Sequence, residues 1–328
     1  MPDISIVIPT YNASFSIGKC LEAIYKTKDI DFEVIVVDDI STDNTLEIVR
    51  KYPCKVIELK EKSGPSVGRN VGAENAKSDI IMFVDSDAVV LEGGIERIVE
   101  GFRKNPEVAC ISGVFEKNPN NLGWFSRYRD RQVVYWHYSA CDEVSVFVLT
   151  AGAIRKDIFF EVGGFERKFG VAADIEDFEI GHRIVEKGYK MIVDKNVRFY
   201  HFEHSSRFWM LVKKLFKRTR LWMHLFWKSK KFEKNYATPS RSIAAVFAGL
   251  SLICLLLSPL LKVTGILFFV FFLIFILLDV GFYQYLFKDG GLMFMLFCIA
   301  VHYFFTLVIC SGAAVGLIQA FLGIEAQK

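Results

Sequence analysis

Asp85 and Asp87 stand two residues apart in IIMFVDSDAVV (residues 80–90), directly behind five apolar residues. On an extended chain, residues i and i+2 point to the same side. Read as the end of a buried strand, the stretch sets two like charges side by side, where they repel and lose solvation. A hard divalent cation removes that conflict. Mg2+ or Mn2+ takes oxygen ligands and bridges to phosphate groups. Short acidic patterns are also common on solvated loops, so the pair gains meaning only from what stands around it.

The elements that must position the pair follow a strand–helix rhythm. Ile4–Ile8 is an apolar run ended by Pro9, and a helical pattern covers Ile17–Tyr25. FEVIVV (32–37) reads as a second strand, ended by Asp38 and Asp39. Ser41, Thr42 and Asp43 suit the start of a helix running through Lys51. KVIEL (55–59) is a third strand, Gly64-Pro65-Ser66 opens a helix through Ala76, and 80–84 is a fourth strand. This rhythm predicts an α/β fold with a parallel sheet and helices on both faces. In such sheets ligands sit beyond the carboxyl ends of the strands. Pro9-Thr10-Tyr11-Asn12, Asp38-Asp39 and Asp85-Ser86-Asp87 are therefore expected to line one crevice. No GxGxxG follows the first strand, which argues against a dinucleotide cofactor.

Charge divides the 328 residues unevenly, and the length suits about two structural units. Residues 1–205 carry 26 basic and 33 acidic residues, residues 206–241 carry 11 and one, and residues 242–328 carry three of each. Three domains are expected: an acidic α/β domain over 1–205, a basic aromatic collar over 206–241, and a transmembrane tail over 242–328. A span needs about 20 apolar residues. The tail offers three, near 242–261, 264–287 and 292–322, with Asp279 the lone acid of the second. Gly312 and Gly316 in the long third run leave two or four crossings open. Met1-Pro2-Asp3 leads straight into a strand-like run without a signal-peptide pattern. The collar just before the first span agrees with the positive-inside rule, so the acidic domain is expected on the cytoplasmic side of the cell membrane. The seven cysteines form no CxxC pair and read as reduced. In the collar, Phe208, Leu211, Leu215 and Trp222 fall near helical spacing while Lys213, Lys214, Lys217 and Arg218 crowd together. That pattern suits a helix lying in the membrane interface, or a plain positive-inside anchor. The adjacent spans argue against nucleic acid as a partner.

Six stretches in order resemble the family-2 glycosyltransferases of the GT-A fold: SIVIPTYN, VIVVDDISTDNT, GPSVGRNVGAENAKSDIIMFVDSDA, TAGAIRKDIFFEVGGF, EDFEIGHRIVEKGYKM and VRFYHFEHSS. The resemblance covers roughly the first 205 residues. It implies an inverting enzyme that uses a nucleotide-sugar, UDP- or GDP-linked, and Mn2+ or Mg2+. It implies that Asp85 and Asp87 bind the metal, or that one of them binds the ribose, with His201 a candidate third ligand. Pro9, Thr10, Tyr11 and Asn12 would contact the donor, Asp39 and Asp38 the base, and Arg69 a phosphate or the nucleotide. Asp177 is the implied catalytic base. Glu176 beside it and Gly152 belong to the acceptor side.

Each role has a structural rival. Arg69 could pair with an acid such as Glu74, His201 could be a core histidine, and Asp38 could bond backbone amides. His204 reads as structural or interfacial, and Arg155 and Arg183 as structural ion-pair partners, though either could touch a phosphate. FVDSDAV also fits the nucleophile motif of haloacid dehalogenase-like phosphohydrolases, but that motif follows a first strand and this one a fourth. The Gln-x-x-Arg-Trp motif of processive synthases has only a distant echo at Arg218–Trp222, which favours a single transfer. The acceptor is expected to be membrane-held, either a hydroxyl of a lipid-linked glycan or a polyprenyl phosphate. A homo-oligomer is compatible with the sequence.

Overall fold

The computed structural model describes residues 1–120, 123–139, 143–166, 175–202, 208–230 and 239–324. Within them the chain forms two compact units. The first takes the described residues of Met1–Pro119 and 137–202, and the second those of 120–136 and 208–324. Residues 120–136 fall inside the stretch expected to be the α/β domain, yet they cluster with the later helices. His204 lies outside the described residues.

The first unit is built on one eight-stranded sheet. Its strands are β1 (Ile4–Thr10), β2 (Phe32–Asp38), β3 (Lys55–Glu58), β4 (Ile80–Val84), β5 (Ala88–Val90), β6 (Val108–Phe115), β7 (Ala151–Arg155) and β8 (Lys190–His201). They run in the order β3-β2-β1-β4-β7-β6-β8-β5. The first four are parallel, as the rhythm predicts. β1 is buried along its whole length, which is why its apolar residues run on without alternating. Beyond β4 the sheet changes sense: β7 is antiparallel to both β4 and β6, and β5 is antiparallel to β8. Those pairings join residues far apart in sequence, and local patterning carries no signal for them.

The helices of this unit are α1 (Ile17–Ile24), α2 (Thr45–Val49), α3 (Pro65–Glu74) and α4 (Gly94–Lys104), followed after α5 by α6 (Lys156–Glu161) and α7 (Glu176–Glu186). α5 spans Trp124–Tyr138 and lies almost wholly in the second unit. α2 is shorter than expected at both ends. Asp43 stands before it and accepts from Thr45 N at 3.0 Å, a local bond that competes with an earlier helical start. α3 presses closely on β1. A Cβ on Gly72 would come within 2.1 Å of Val7 Cγ1. α7 is seated the same way, since a Cβ on Gly181 would come within 2.3 Å of the Ser145 carbonyl oxygen.

The second unit joins α5 to α8 (Phe208–Ser229), α9 (Pro239–Leu257), α10 (Lys262–Leu278) and α11 (Val280–Phe321). α9 and α11 are long and apolar enough to cross a membrane by length and composition, while α10 is apolar but shorter. The uninterrupted span expected over 264–287 is not formed. Helix α10 stops at Leu278, Asp279 stands at the next helix start, and α11 is itself interrupted at Gly291, whose φ is 74°. α8 packs along α11: Phe208 meets Phe305, and a Cβ on Gly312 or Gly316 would run into the α8 carbonyls of Phe216 or Arg220.

Gly181→Ala should destabilise the first unit by about 1–3 kcal/mol through overpacking against backbone. Thermal unfolding of the protein in detergent checks this. An unchanged midpoint would mean that α7 can move off Ser145 freely.

Candidate active site

The register of the parallel strands brings the expected crevice together. Thr10 lies opposite Asp38, and Asp38 opposite Glu58, so β1 and β2 end level with each other. Asp85 and Asp87 follow the last residue of β4. They do not sit on the strand itself. They lie in the turn between β4 and β5, closed by Ala88 N donating to the Asp85 carbonyl at 2.9 Å. Leaving the ladder there keeps both charges off the buried faces of the sheet.

Two antiparallel pairings then deliver partners from distant parts of the chain. β5 against β8 sets Ala88 opposite His201, and Phe202 N donates to the Asp87 carbonyl at 2.7 Å. His201 Nδ1 consequently stands 3.2 Å from Asp87 Oδ1. Asn118 Nδ2 holds this end of β8 through the carbonyl of His201 at 2.7 Å. β4 against β7 places Thr150 beside Asp85, where its hydroxyl donates to Asp85 Oδ2 at 3.1 Å. Asp85, Asp87 and His201 offer ligand atoms that all lie within 4.8 Å of one another. Two carboxylates and an imidazole at that spacing fit Mn2+, which accepts both oxygen and nitrogen ligands.

Arg69 joins this cluster to the start of α7. Its guanidinium reaches Asp85 Oδ1 at 2.8 Å and Glu176 Oε1 at 3.3 Å, and its side chain is only 5% exposed. Glu74, the partner near in sequence, is not the one it takes. Its neighbour Asn70 exchanges two hydrogen bonds with the backbone of Phe165, at 2.8 and 2.9 Å, and so ties α3 to the Gly163-Gly164-Phe165 turn. Gly164 there has a φ of 65°, a conformation that glycine adopts without strain.

The carboxylates at the end of β2 are held by backbone and, for Asp38, a serine hydroxyl. Asp39 accepts from Ser63 N at 2.6 Å and Gly64 N at 2.9 Å, which anchors the segment entering α3. Asp38 accepts from Ser41 N at 2.9 Å and from the Ser41 hydroxyl. Asn12, with a φ of 47°, ties its own turn to Thr42 N at 2.7 Å. Pro9 packs near Gly68 of α3, and Tyr11 is 44% exposed with Lys62 Nζ 3.0 Å from its ring centroid.

Asp177 is half-buried in the first turn of α7, and its Oδ1 accepts from Phe178 N at 3.0 Å. Gly152 lies inside β7 opposite Phe83, and a Cβ there would come within 2.2 Å of the Val148 carbonyl oxygen. Its place is in packing, and the residue of that segment that reaches Asp85 is Thr150. Sequence reasoning missed Thr150 because its partner is set by the antiparallel register. Arg155 bonds backbone carbonyls of Val108 and Phe102, and Arg183 pairs with Glu179, both within the scaffold. Lys213 and Lys214 are exposed on α8, while Lys217 and Arg218 are half-buried.

Residues 5–164 match the family described as Glycosyl transferase family 2. An uncharacterized glycosyltransferase of Haemophilus influenzae is 31% identical over 188 residues, which cover 56% of this chain and 62% of that one. Glycosyltransferase GlyG of Streptococcus pneumoniae is 29% identical over 180 residues, covering 48% of this chain and 58% of that one. This chain thus spans about six tenths of the length of these curated relatives. The structure of mannosyltransferase PcManGT from Pyrobaculum calidifontis, in complex with GDP-Man and Mn2+, aligns over 99% of this chain and 88% of that one, with a TM-score of 0.58 and 18% identity. The sheet and its helices define a GT-A-like α/β core. Over residues 5–164 the chain is similar to the family 2 glycosyltransferases.

Cys20 lies beneath the acid pair, 1% exposed, with Sγ 3.6 Å from the Asp85 carbonyl oxygen. Burial pushes its thiol well above the ordinary range, and the charges of Asp87 and Asp85 add to this. Cys20 should therefore resist iodoacetamide at pH 8 in the native protein and react once guanidinium unfolds it. Peptide mapping by mass spectrometry reads the result. Native labelling at the rate of a free thiol would mean that the base of the site opens readily.

Proposed function

We propose that the protein is an inverting, metal-dependent glycosyltransferase that moves a sugar from a nucleotide-sugar to a membrane-held acceptor. The observation that carries this reading is the convergence of Asp85, Asp87 and His201 beyond the strand ends, linked through Arg69 to the start of α7. The match of residues 5–164 to the Glycosyl transferase family 2 supports the reaction class. PcManGT, of the same fold, binds GDP-Man and Mn2+ together, which supports a nucleoside diphosphate donor, UDP- or GDP-linked, and a divalent cation. The apolar helices α9 and α11 support membrane anchoring, with the first unit on the cytoplasmic side.

Asp85, Asp87 and His201 would hold the cation, which when bound supplies positive charge to the diphosphate leaving group. Asp39 fixes the Ser63–Gly64 segment and shapes the donor side, while Tyr11 offers an exposed ring to a base. The acceptor oxygen attacks the anomeric carbon as the bond from that carbon to the diphosphate oxygen breaks on the opposite face, which inverts the centre. A sugar hydroxyl needs its proton removed as it attacks, and Asp177 would receive it. A hydroxyl of a lipid-linked glycan is the acceptor this reading favours. A polyprenyl phosphate is already anionic and needs no base.

Asp87→Asn should remove Mn2+-dependent donor binding, and Asp85→Asn should weaken it less, because Asp85 is already engaged by Arg69 and Thr150. Calorimetric titration of UDP- and GDP-sugars with and without Mn2+ checks this, and wild-type affinity in Asp87→Asn would sink the metal assignment. Asp177→Asn should keep donor affinity and lose transfer by roughly 10²-fold or more, in the range of general bases. Turnover is followed as metal-dependent release of nucleoside diphosphate on membrane acceptor. Near-normal turnover would point to a phosphate acceptor, and release of inorganic phosphate instead would mark a phosphohydrolase.

A further inference from the structure

We propose that Arg69 is a competing cation, occupying Asp85 until a nucleoside diphosphate arrives and so making metal and donor bind as a linked pair. This rests on the reading that Asp85, Asp87 and His201 hold the divalent ion. The three ligands are unequal. Both Asp85 oxygens are already taken, Oδ1 by Arg69 at 2.8 Å and Oδ2 by the Thr150 hydroxyl at 3.1 Å. The Asp85 side chain is 26% exposed and that of Asp87 44%. An ion entering alone must share Asp85 with a guanidinium.

That guanidinium cannot lose its charge at any working pH. It is buried among carboxylates, so its field at Asp85 is poorly screened by water. A second cation on the same carboxylate is opposed by it. A diphosphate changes the balance, because a guanidinium fork matches phosphate oxygens as well as it matches a carboxylate. Arg69 also has capacity to spare. Its Nε is buried and has no hydrogen-bond partner among the described residues, and neither do the buried hydroxyls of Thr10 at the end of β1 and Ser66 in the first turn of α3. Donor phosphates would draw Arg69 off Asp85 and leave that oxygen to the ion. The other arm of Arg69 rests on Glu176, the residue before Asp177. The exchange therefore bears on the start of α7, where the acceptor side begins. Arg69 acts here as a positioning residue.

Linkage makes the effect measurable from either side, since donor and ion must tighten each other by the same factor. The test uses the full chain in detergent, with free Mn2+ followed by electron paramagnetic resonance, alone and with UDP or GDP. In the wild type, nucleotide should tighten Mn2+ by roughly tenfold or more. Arg69→Met should bind Mn2+ alone about tenfold more tightly than wild type and lose most of the enhancement by nucleotide. Unchanged or weaker Mn2+ binding in Arg69→Met would overturn the proposal. Because that variant removes the buried guanidinium from both Asp85 and Glu176 and could unfold, Glu176→Gln provides a second arm. Freed from Glu176, the guanidinium should settle on Asp85, so Mn2+ alone binds more weakly and the nucleotide enhancement grows. Identical Mn2+ affinities in Glu176→Gln and wild type would also overturn it. The underlying metal reading fails separately, if Asp87→Asn binds Mn2+ as the wild type does.

Discussion

Carboxylates crowded at one end of a sheet repel one another, and the first unit is organised around containing that repulsion. Asp38 and Asp39 are neutralised by backbone N–H groups and a serine hydroxyl. Such bonds stabilise charge without adding any. The inner group is treated differently. Asp85 and Glu176 share a single buried guanidinium, and Asp87 has an imidazole beside it. A divalent cation held by Asp85, Asp87 and His201 would relieve the repulsion between the two aspartates and would also create affinity for phosphates.

The change of strand direction beyond β4 serves the same end. A purely parallel sheet would bring only the residues following β1, β2 and β4 to the crevice. The antiparallel pairing of β7 with β4 adds Thr150, and that of β5 with β8 adds His201. Packing is close where these elements must not slip. Gly72 on Val7 and Gly181 on Ser145 have no room for a methyl group, so α3 and α7 carry Arg69 and Glu176 at set distances from the sheet. Position in the site is thus determined by backbone approach more than by the functional side chains themselves.

What could be read from the sequence follows the range of the forces involved. β1, β2 and β4 were legible because buried parallel strands are apolar runs and their helices are periodic, while β3 is a short half-exposed edge strand marked by its place in the rhythm. The acidic pair was legible as a metal-binding motif, though its residues occupy a turn and not a strand face. The hold of Asp39 on the Ser63–Gly64 backbone was not legible, because those residues follow β3 and reach it only through the fold. The partners of Arg69 were out of reach, since Glu74 is near in sequence while Asp85 and Glu176 are brought in by the fold. Thr150 was hidden for the same reason. In the second unit composition showed apolar helices but not their ends. Asp279 divides the run expected as one span over 264–287, and α5 joins that unit from a stretch with α/β neighbours on both sides.

The pairing of α8 with α11 limits how the second unit can meet a bilayer. Phe208 lies by Phe305, Phe216 by Gly312, Arg220 by Gly316 and Trp227 by Phe321, so the two helices run in the same direction. The small residues of α11 let the backbones approach, as they do between helices in membranes. Yet α8 carries Lys213, Lys214, Lys217, Arg218 and Arg220, and such charges are costly at the centre of a bilayer. The turns of α11 beside α8 must then share its depth, near the headgroups. Between Gly291 and Phe304 only about four turns remain, close to 20 Å, against a hydrocarbon core of about 30 Å. α9 and α10 pack on each other through Ala244, Ala248 and Phe275 and on α11 through Tyr303, and they expose Leu256, Ile266 and Phe269 outward. If the unit enters a bilayer with these helices paired as they are, the α9–α10 hairpin and the face of α11 packed on it suit the hydrocarbon, and the charged face of α8 suits its edge.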